Sequence, residues 1–298
     1  MLQPQAGILP APLRGGRYLY YRLRYGAEAA GALRSLTTEP WGAQDVLGLA
    51  ATLVTRRGGE VEGLRSFPDL SDSQTAVPWT PHDLWVWVRA DDIGAAMNLG
   101  RRLTEKLKAA FELVGASSAH LHGHDQDLSS YHDGTENPEP DEAPGVALIQ
   151  SGPLQGGSFV AVQRWEHHLE HLEAKSQQEQ DLVIGRRLVD DSEIEDPGAA
   201  AHIKRTEQES FEPEAHLLRR SLPFVEGFAY GLEFVCFASS LDAFEVQLRR
   251  MVGCEDGILD AIFSFSSAIN GGYYFCPPVK EGPLDLSFLG AKFTEKGA

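Results

Sequence analysis

The chain has 298 residues, enough for one large domain or two of about 150. With 42% hydrophobic and 23% charged residues it has a globular composition, and no apolar run approaches the ~20 residues a membrane helix needs. A formal charge of −17 sets it against nucleic acid and anionic membranes and suits cationic partners. The first ten residues show no basic n-region, apolar h-region or twin-arginine pair, which predicts a cytoplasmic protein.

Residues 18–23 read as an opening strand. Leu-Trp-Val-Trp-Val-Arg at 84–89, rich in β-branched and aromatic side chains, reads as another. Asp91 and Asp92 then start a helix, with apolar positions Ile93, Met97, Leu103, Leu107, Phe111 and Val114 near helical spacing. A strand is expected over 158–163, followed by a helix over 165–174. Residues 228–238 form a strand with Leu232, Phe234 and Cys236 on one face. Ser239 and Ser240 cap a helix carrying Leu241, Phe244, Leu248 and Met251 on one stripe, with Glu245 and Arg249 as an i,i+4 pair. The same strand–helix grammar in both halves predicts a duplicated α+β architecture of antiparallel sheets with peripheral helices. The proline- and acid-rich stretch 137–144 divides it into halves 1–144 and 145–298.

Cys236, Cys254 and Cys276 are far apart and lack metal-ligand spacing; Cys236 lies in an alternating apolar run and reads as a buried thiol. His120, His122 and His124 lie on an extended polar segment. His167 and His171 have the i,i+4 spacing of zinc sites, but without His-Glu-x-x-His the segment reads as an acidic surface helix. His202 stands alone after the acidic loop 190–196, behind three alanines that leave room for a flat ligand. Taken singly, it reads as a satisfied polar residue, Asp133-Gly134 as a turn and Arg219-Arg220 as a surface pair.

Their conjunction says more. Ser-Tyr-His-Asp133-Gly134-Thr-Glu-Asn-Pro, Ala-Ala-His202-Ile-Lys-Arg and Leu-Leu-Arg219-Arg220-Ser221-Leu-Pro-Phe occur in that order. Gly-Gly-Ser-Phe-Val-Ala-Val-Gln-Arg164 and Ile-Gly-Arg186 lie between the first and second. The set resembles the dye-decolorising peroxidase family, in its compact bacterial subfamily, over nearly the whole chain. Two positions depart from the family pattern. Ser130 stands where Gly-x-x-Asp-Gly has its first glycine, and Ser221 stands where many relatives have asparagine.

The resemblance implies two ferredoxin-like halves in one chain, of the dimeric α+β barrel type. The N-terminal half would carry the distal Asp133 loop and the C-terminal half the haem pocket. It implies haem b, held without covalent bonds since no Cys-x-x-Cys-His is present. His202 would be the proximal iron ligand, with Asp260 as its carboxylate partner and Asp256 as second choice. Asp133 would act as acid–base and Arg219 as charge stabiliser, Ser221 would tune the distal pocket, and Arg186 would meet a propionate. The implied activity is reduction of hydrogen peroxide through a ferryl intermediate, with dyes, phenols or similar small-molecule reductants as electron donors. The acidic surface would suit manganese(II). Trp85, Trp87, Trp165 and Tyr131 are candidates for relaying electrons to a bulky donor. The family also implies a homo-oligomer. The tail 289–298 is either a frayed terminus or a peptide that docks into an encapsulating compartment. Two other readings compete: a haem-binding or haem-handling protein without peroxidase turnover, and a non-haem metallohydrolase built on the histidine clusters.

Overall fold

The computed structural model describes residues 2–290 apart from 43–44, 81 and 124–125. His124 and most of the tail therefore lie outside the described residues. The first half runs β1 (Gly15–Leu23), α1 (Ala29–Ser35), β2 (Asp45–Leu49), β3 (Leu84–Ala90), α2 (Ile93–Leu107) and β4 (Phe111–His120). The second runs β5 (Ser158–His167), α3 (Gln177–Ile184), α4 (His202–Arg205), β6 (Leu222–Glu226), β7 (Ala229–Ala238), α5 (Asp242–Met251) and β8 (Ser266–Cys276).

Strand order gives the duplication its physical form. The first half is ordered β4-β1-β3-β2 and the second β8-β5-β7-β6, the same ferredoxin-like sequence of pairings twice. The halves join edge to edge where β8 meets β2 at Phe275–Leu49 and β4 meets β6 at Ala119–Phe224. The sheet thereby closes into an antiparallel barrel, which removes the free edges of both halves.

Side-chain alternation sorts the residues onto two faces. Tyr18, Tyr20, Trp85, Trp87, Val160, Val162, Phe237 and Tyr274 pack together inside the barrel, where Tyr18 stacks on Trp87 with centroids 5.9 Å apart. The other face carries the helices: Leu19, Val86 and Val88 pack with Ala96, Leu103 and Leu107 of α2, while Cys236 and Ala238 pack with Phe244 and Leu248 of α5. Each large apolar side chain buried in this way contributes roughly 1.5–3 kcal/mol. A buried carboxyl group lies beside these aromatic residues. Glu233, 1% exposed, accepts hydrogen bonds from Ser117 Oγ (2.5 Å), Tyr20 Oη (3.3 Å) and Arg164 Nη1 (3.3 Å). Burial pushes its carboxyl up to about 7 despite these partners.

Several local expectations are corrected. Helix α2 is capped by Asp92, which accepts from Gly94 and Ala95 N–H, but it ends at Leu107. Phe111 and Val114 belong to β4, and Ile93 and Met97 are exposed, so the buried stripe is Ala96, Gly100, Leu103 and Leu107. The helix expected over 165–174 forms only in its second half, and its first three residues are strand. β5 continues to His167 because residues 159–166 pair with 231–238 of β7 on one side and 158–167 pair with β8 on the other; only Leu169–Glu173 is helical. Glu245 and Arg249 do not pair with each other, since Glu245 binds Arg65 and Arg249 binds Asp72, tying α5 to the segment before β3.

Candidate active site

A cavity of about 120 Å³, open at its mouth, lies between the outer face of the second half's strands and the elements that cover it. Gln163, Trp165, Leu232 and Phe234 form the sheet wall. Phe244, Leu248 and Met251 of α5, with Ile262 and Phe265, form an apolar floor. Against its mouth lies a more polar hollow of about 290 Å³ that includes Arg186, Glu193 and Lys204. His132, Asp133, His202 and Arg219 border both. An apolar slot with a few convergent polar groups is the usual form of a cofactor site.

His202 begins the single turn α4, which packs tightly on Gly185: a Cβ at Gly185 would lie 2.4 Å from Ile203, and its backbone is left-handed at φ 99°. The His202 imidazole is bonded through Nδ1 to Asp260 Oδ2 at 2.8 Å, which leaves Nε2 as the nitrogen available to a ligand. Asp260 is 1% exposed and held firmly. Its Oδ1 caps the short helix Ala261–Ser264 through Ile262 N–H, and its own N–H donates to Met251. Asp256, the second candidate, is instead engaged by Arg205 through two 2.7 Å bonds. That pairing is the main reason its carboxyl lies below its ordinary value.

Asp133 and Arg219 face each other with Oδ1 and Nη1 3.6 Å apart. They are 86 positions apart in sequence, and Asn137 fixes their register. Its Oδ1 accepts from Arg219 N–H at 2.7 Å and its Nδ2 donates to Arg219 C=O at 3.2 Å. The turn that brings Asn137 back towards Arg219 requires Gly134, whose φ is 80° and whose Cβ would sit 2.6 Å from Asn137 Nδ2. Asp-Gly-Thr-Glu-Asn is thus a built clamp between the acid and the arginine. Composition alone suggested only a turn, and Asn137 was missed for that reason.

Ser130 keeps the left-handed backbone that glycine would favour, at φ 73°. Ser221 lines a smaller hollow on the other side of Arg219, together with Asp133, Asn137 and Arg220; its Oγ is 3.4 Å from Val235 N. Arg186 borders the outer hollow, paired with Glu136 and with Glu193 (2.7 Å), and its Nε is buried without a partner.

The histidine clusters divide. His167 is not on a helix face: it ends β5, is 5% exposed, and bonds Ser266 Oγ through Nδ1 (2.7 Å) and Asp127 Oδ1 through Nε2 (3.0 Å). Asp127 was also missed. Burial alone would raise its carboxyl, but His167 and Ser129 hold it below the ordinary value. Among the described residues no three His, Cys, Asp or Glu side chains gather to hold a metal ion. Trp85 and Trp87 are buried inside the barrel, Trp165 forms cavity wall, and Tyr131 is 4% exposed with its hydroxyl on Asp181. None of these four is a surface residue.

Fold and site together define a closed, duplicated ferredoxin-like barrel with a histidine–aspartate pair and an aspartate–arginine pair bordering one apolar slot. The family model for the C-terminal part of Dyp-type peroxidases matches residues 124–281. A dye-decolorizing peroxidase of Mycolicibacterium paratuberculosis is 31% identical over 226 residues, covering 72% of this chain and 63% of the relative; that relative is thus matched over less than two thirds of its length. One from Brevibacterium linens is 29% identical over 293 residues, 91% of this chain and 79% of the relative. Among solved structures, the dye-decolorizing protein of Vibrio cholerae superposes with a TM-score of 0.84 at 27% identity, covering 92% of this chain and 96% of that one. A DypB variant of Rhodococcus jostii, solved in complex with heme, gives 0.80 at 26%, with the same coverages. The chain belongs to the Dyp-type peroxidase family. Among the described residues no helix is long and apolar enough to cross a membrane.

Proposed function

We propose that this chain is a haem-dependent peroxidase that reduces hydrogen peroxide and oxidises small one-electron donors such as dyes or phenols. The observation that carries the reading is the pairing of two unlike dyads along one apolar slot. His202–Asp260 has the chemistry of an iron ligand and its orienting carboxylate. Asp133–Arg219 has the chemistry of a proton shuttle beside a fixed positive charge. Haem binding alone would need the first dyad and not the second.

The donor set fits haem b. His202 offers Nε2 to iron, the apolar residues Leu217, Leu248, Met251 and Phe265 suit the macrocycle, and Arg186 with its unpartnered Nε stands at the polar mouth where propionates would lie. Held there, haem would supply a redox-active iron able to take up the oxidising equivalents of peroxide. The chain's residues do the rest. Asp133 takes a proton from the bound peroxide and returns it to the departing oxygen, so that water leaves. Arg219 stabilises the negative charge that grows on that oxygen, in a slot where screening by water is weak. Asp260 accepts from His202 Nδ1–H, which makes the imidazole more basic and supports oxidised iron. Leu232 and Phe234 keep bulk water from the sheet side. In this reading residues 1–144 supply the Asp133 loop, and residues 145–298 supply the slot. A cytoplasmic homo-oligomer is part of the same proposal.

The test is spectrophotometric. Protein reconstituted with haem should show a Soret band that changes rapidly on adding stoichiometric peroxide and returns when a phenol or dye is oxidised. A stable Soret band that peroxide leaves unchanged would contradict peroxidase chemistry.

A further inference from the structure

We propose that His167 is a positioning residue for Asp133, acting through the carboxylate of Asp127. The inference rests on the peroxidase reading of Asp133 given above, and it concerns residues that the two dyads leave unused.

The geometry forms a chain of contacts from the sheet to the loop. His167 closes β5, where its Cα is paired with Ser266 of β8. Its Nε2–H donates to Asp127 Oδ1 at 3.0 Å, and its Nδ1 is then left to accept from the Ser266 hydroxyl at 2.7 Å. Both ring nitrogens are thus satisfied, and the imidazole cannot rotate without losing both bonds. Asp127 in turn holds the loop at three points. Its Oδ2 accepts from Ser129 N–H at 2.8 Å, its C=O accepts from Ser130 N–H at 2.9 Å, and its N–H donates to Tyr131 C=O at 2.9 Å. Asp133 follows two residues later. Asp127, His167, Ser266 and Asp133 all line the same cavity.

Two observations argue that this is more than filling. A buried imidazole–carboxylate pair is costly to desolvate, and apolar side chains would close the same gap at lower cost. The loop it grips also contains Ser130 in a left-handed conformation, a position that a loose loop would relax. The Asp133–Arg219 separation of 3.6 Å is at the long end of an ion pair, so a small displacement of the loop changes where the proton is taken. Misplacement by about 1 Å can cost on the order of 10² in rate. Asn137 fixes the loop after Asp133, and His167–Asp127 fixes it before.

The experiment is a double-mutant cycle of His167→Gln and Asp133→Asn in the haem-loaded protein, read as the rate of reaction with peroxide. Amide hydrogen exchange of residues 126–134 is measured on the same samples. His167→Gln alone should slow the reaction roughly 10–100-fold, as outer partners of active-site groups commonly do. In the Asp133→Asn background it should add less than about 2-fold, because the effect passes through the group already removed. Exchange should rise in 126–134 and not in α5. Multiplying effects, or unchanged exchange in the loop, would overturn the inference while leaving Asp133 as the base. An unaltered rate in Asp133→Asn alone would remove Asp133 as the base, and the inference with it, whereas a protein whose Soret band peroxide leaves unchanged would overturn the peroxidase reading itself. If His167→Gln does not fold, Asp127→Asn runs the same cycle, since it keeps an acceptor for Ser129 N–H but loses the charge.

Discussion

His202 and Asp260 are 58 residues apart in sequence, and their side chains meet at 2.8 Å between Nδ1 and Oδ2. The contact fixes the imidazole, because Asp260 is itself held through Ile262 N–H and through its own bond to Met251. A ligand on Nε2 therefore meets a histidine of defined tautomer, with a charged acceptor behind it.

Asp260→Asn keeps the shape of that acceptor and removes its charge. Haem should be retained, the ferric–ferrous midpoint potential should rise, and the peroxide reaction should slow roughly 10–100-fold. Asp256→Asn should change neither, because Asp256 serves Arg205. Spectroelectrochemical titration of the two variants separates the roles; a raised potential in Asp256→Asn alone would reverse the assignment.

Arg219→Leu removes the charge opposite Asp133 while leaving the backbone clamp to Asn137 in place. The peroxide reaction should fall by roughly 10²–10³, with haem affinity little altered. Stopped-flow rates paired with haem titration check this, and a comparable loss in haem affinity would assign Arg219 to binding.

Much of this was legible in the sequence, and the parts that were not share a cause. Asp133, His202 and Arg219 each read blandly alone; only the order and conjunction of their segments, with the resemblance this carries, singled them out, and Asp260 came only as what that resemblance implies. His167 was misread because His167 and His171 have helical spacing, and spacing cannot show that 158–167 is already paired on both sides by β7 and β8. Phe111 and Val114 extended the stripe of α2 for the same reason: a strand that follows a helix closely can continue its periodicity by chance. Asn137 and Asp127 were hidden because their functions are hydrogen bonds to residues 82 and 40 positions away. The duplicated architecture could be read from the repeated strand–helix grammar, whereas closure into a barrel depends on two short edge contacts that no local pattern encodes.

Ser130→Gly should stabilise the protein by about 1 kcal/mol, since a non-glycine residue in the left-handed region carries a cost of that order. Thermal or chemical denaturation measures it. A destabilised variant would mean that the Ser130 side chain contributes more than its backbone strain costs.

Glu233→Gln should alter how stability depends on pH. Glutamate in the unfolded chain titrates near 4.5, whereas burial pushes Glu233 up to about 7. Between these values the unfolded chain has released a proton that the folded protein still holds, so rising pH favours unfolding, and the loss is complete above about 7. The variant should match the native protein at pH 5 and exceed it at pH 8 by roughly 1–3 kcal/mol. Denaturation at the two pH values checks the sign, and an equal loss at both would contradict it.

The central claim, that the slot holds haem on His202, is tested most directly by haem titration of the native protein and His202→Ala, followed at the Soret band. The native protein should take up one haem per chain with a sharp, saturable Soret band. His202→Ala should lose that band or show only weak, broad absorption, and added imidazole should restore it in part. Equal haem content and an unchanged Soret band in His202→Ala would contradict the account, because the iron would then be held by another group.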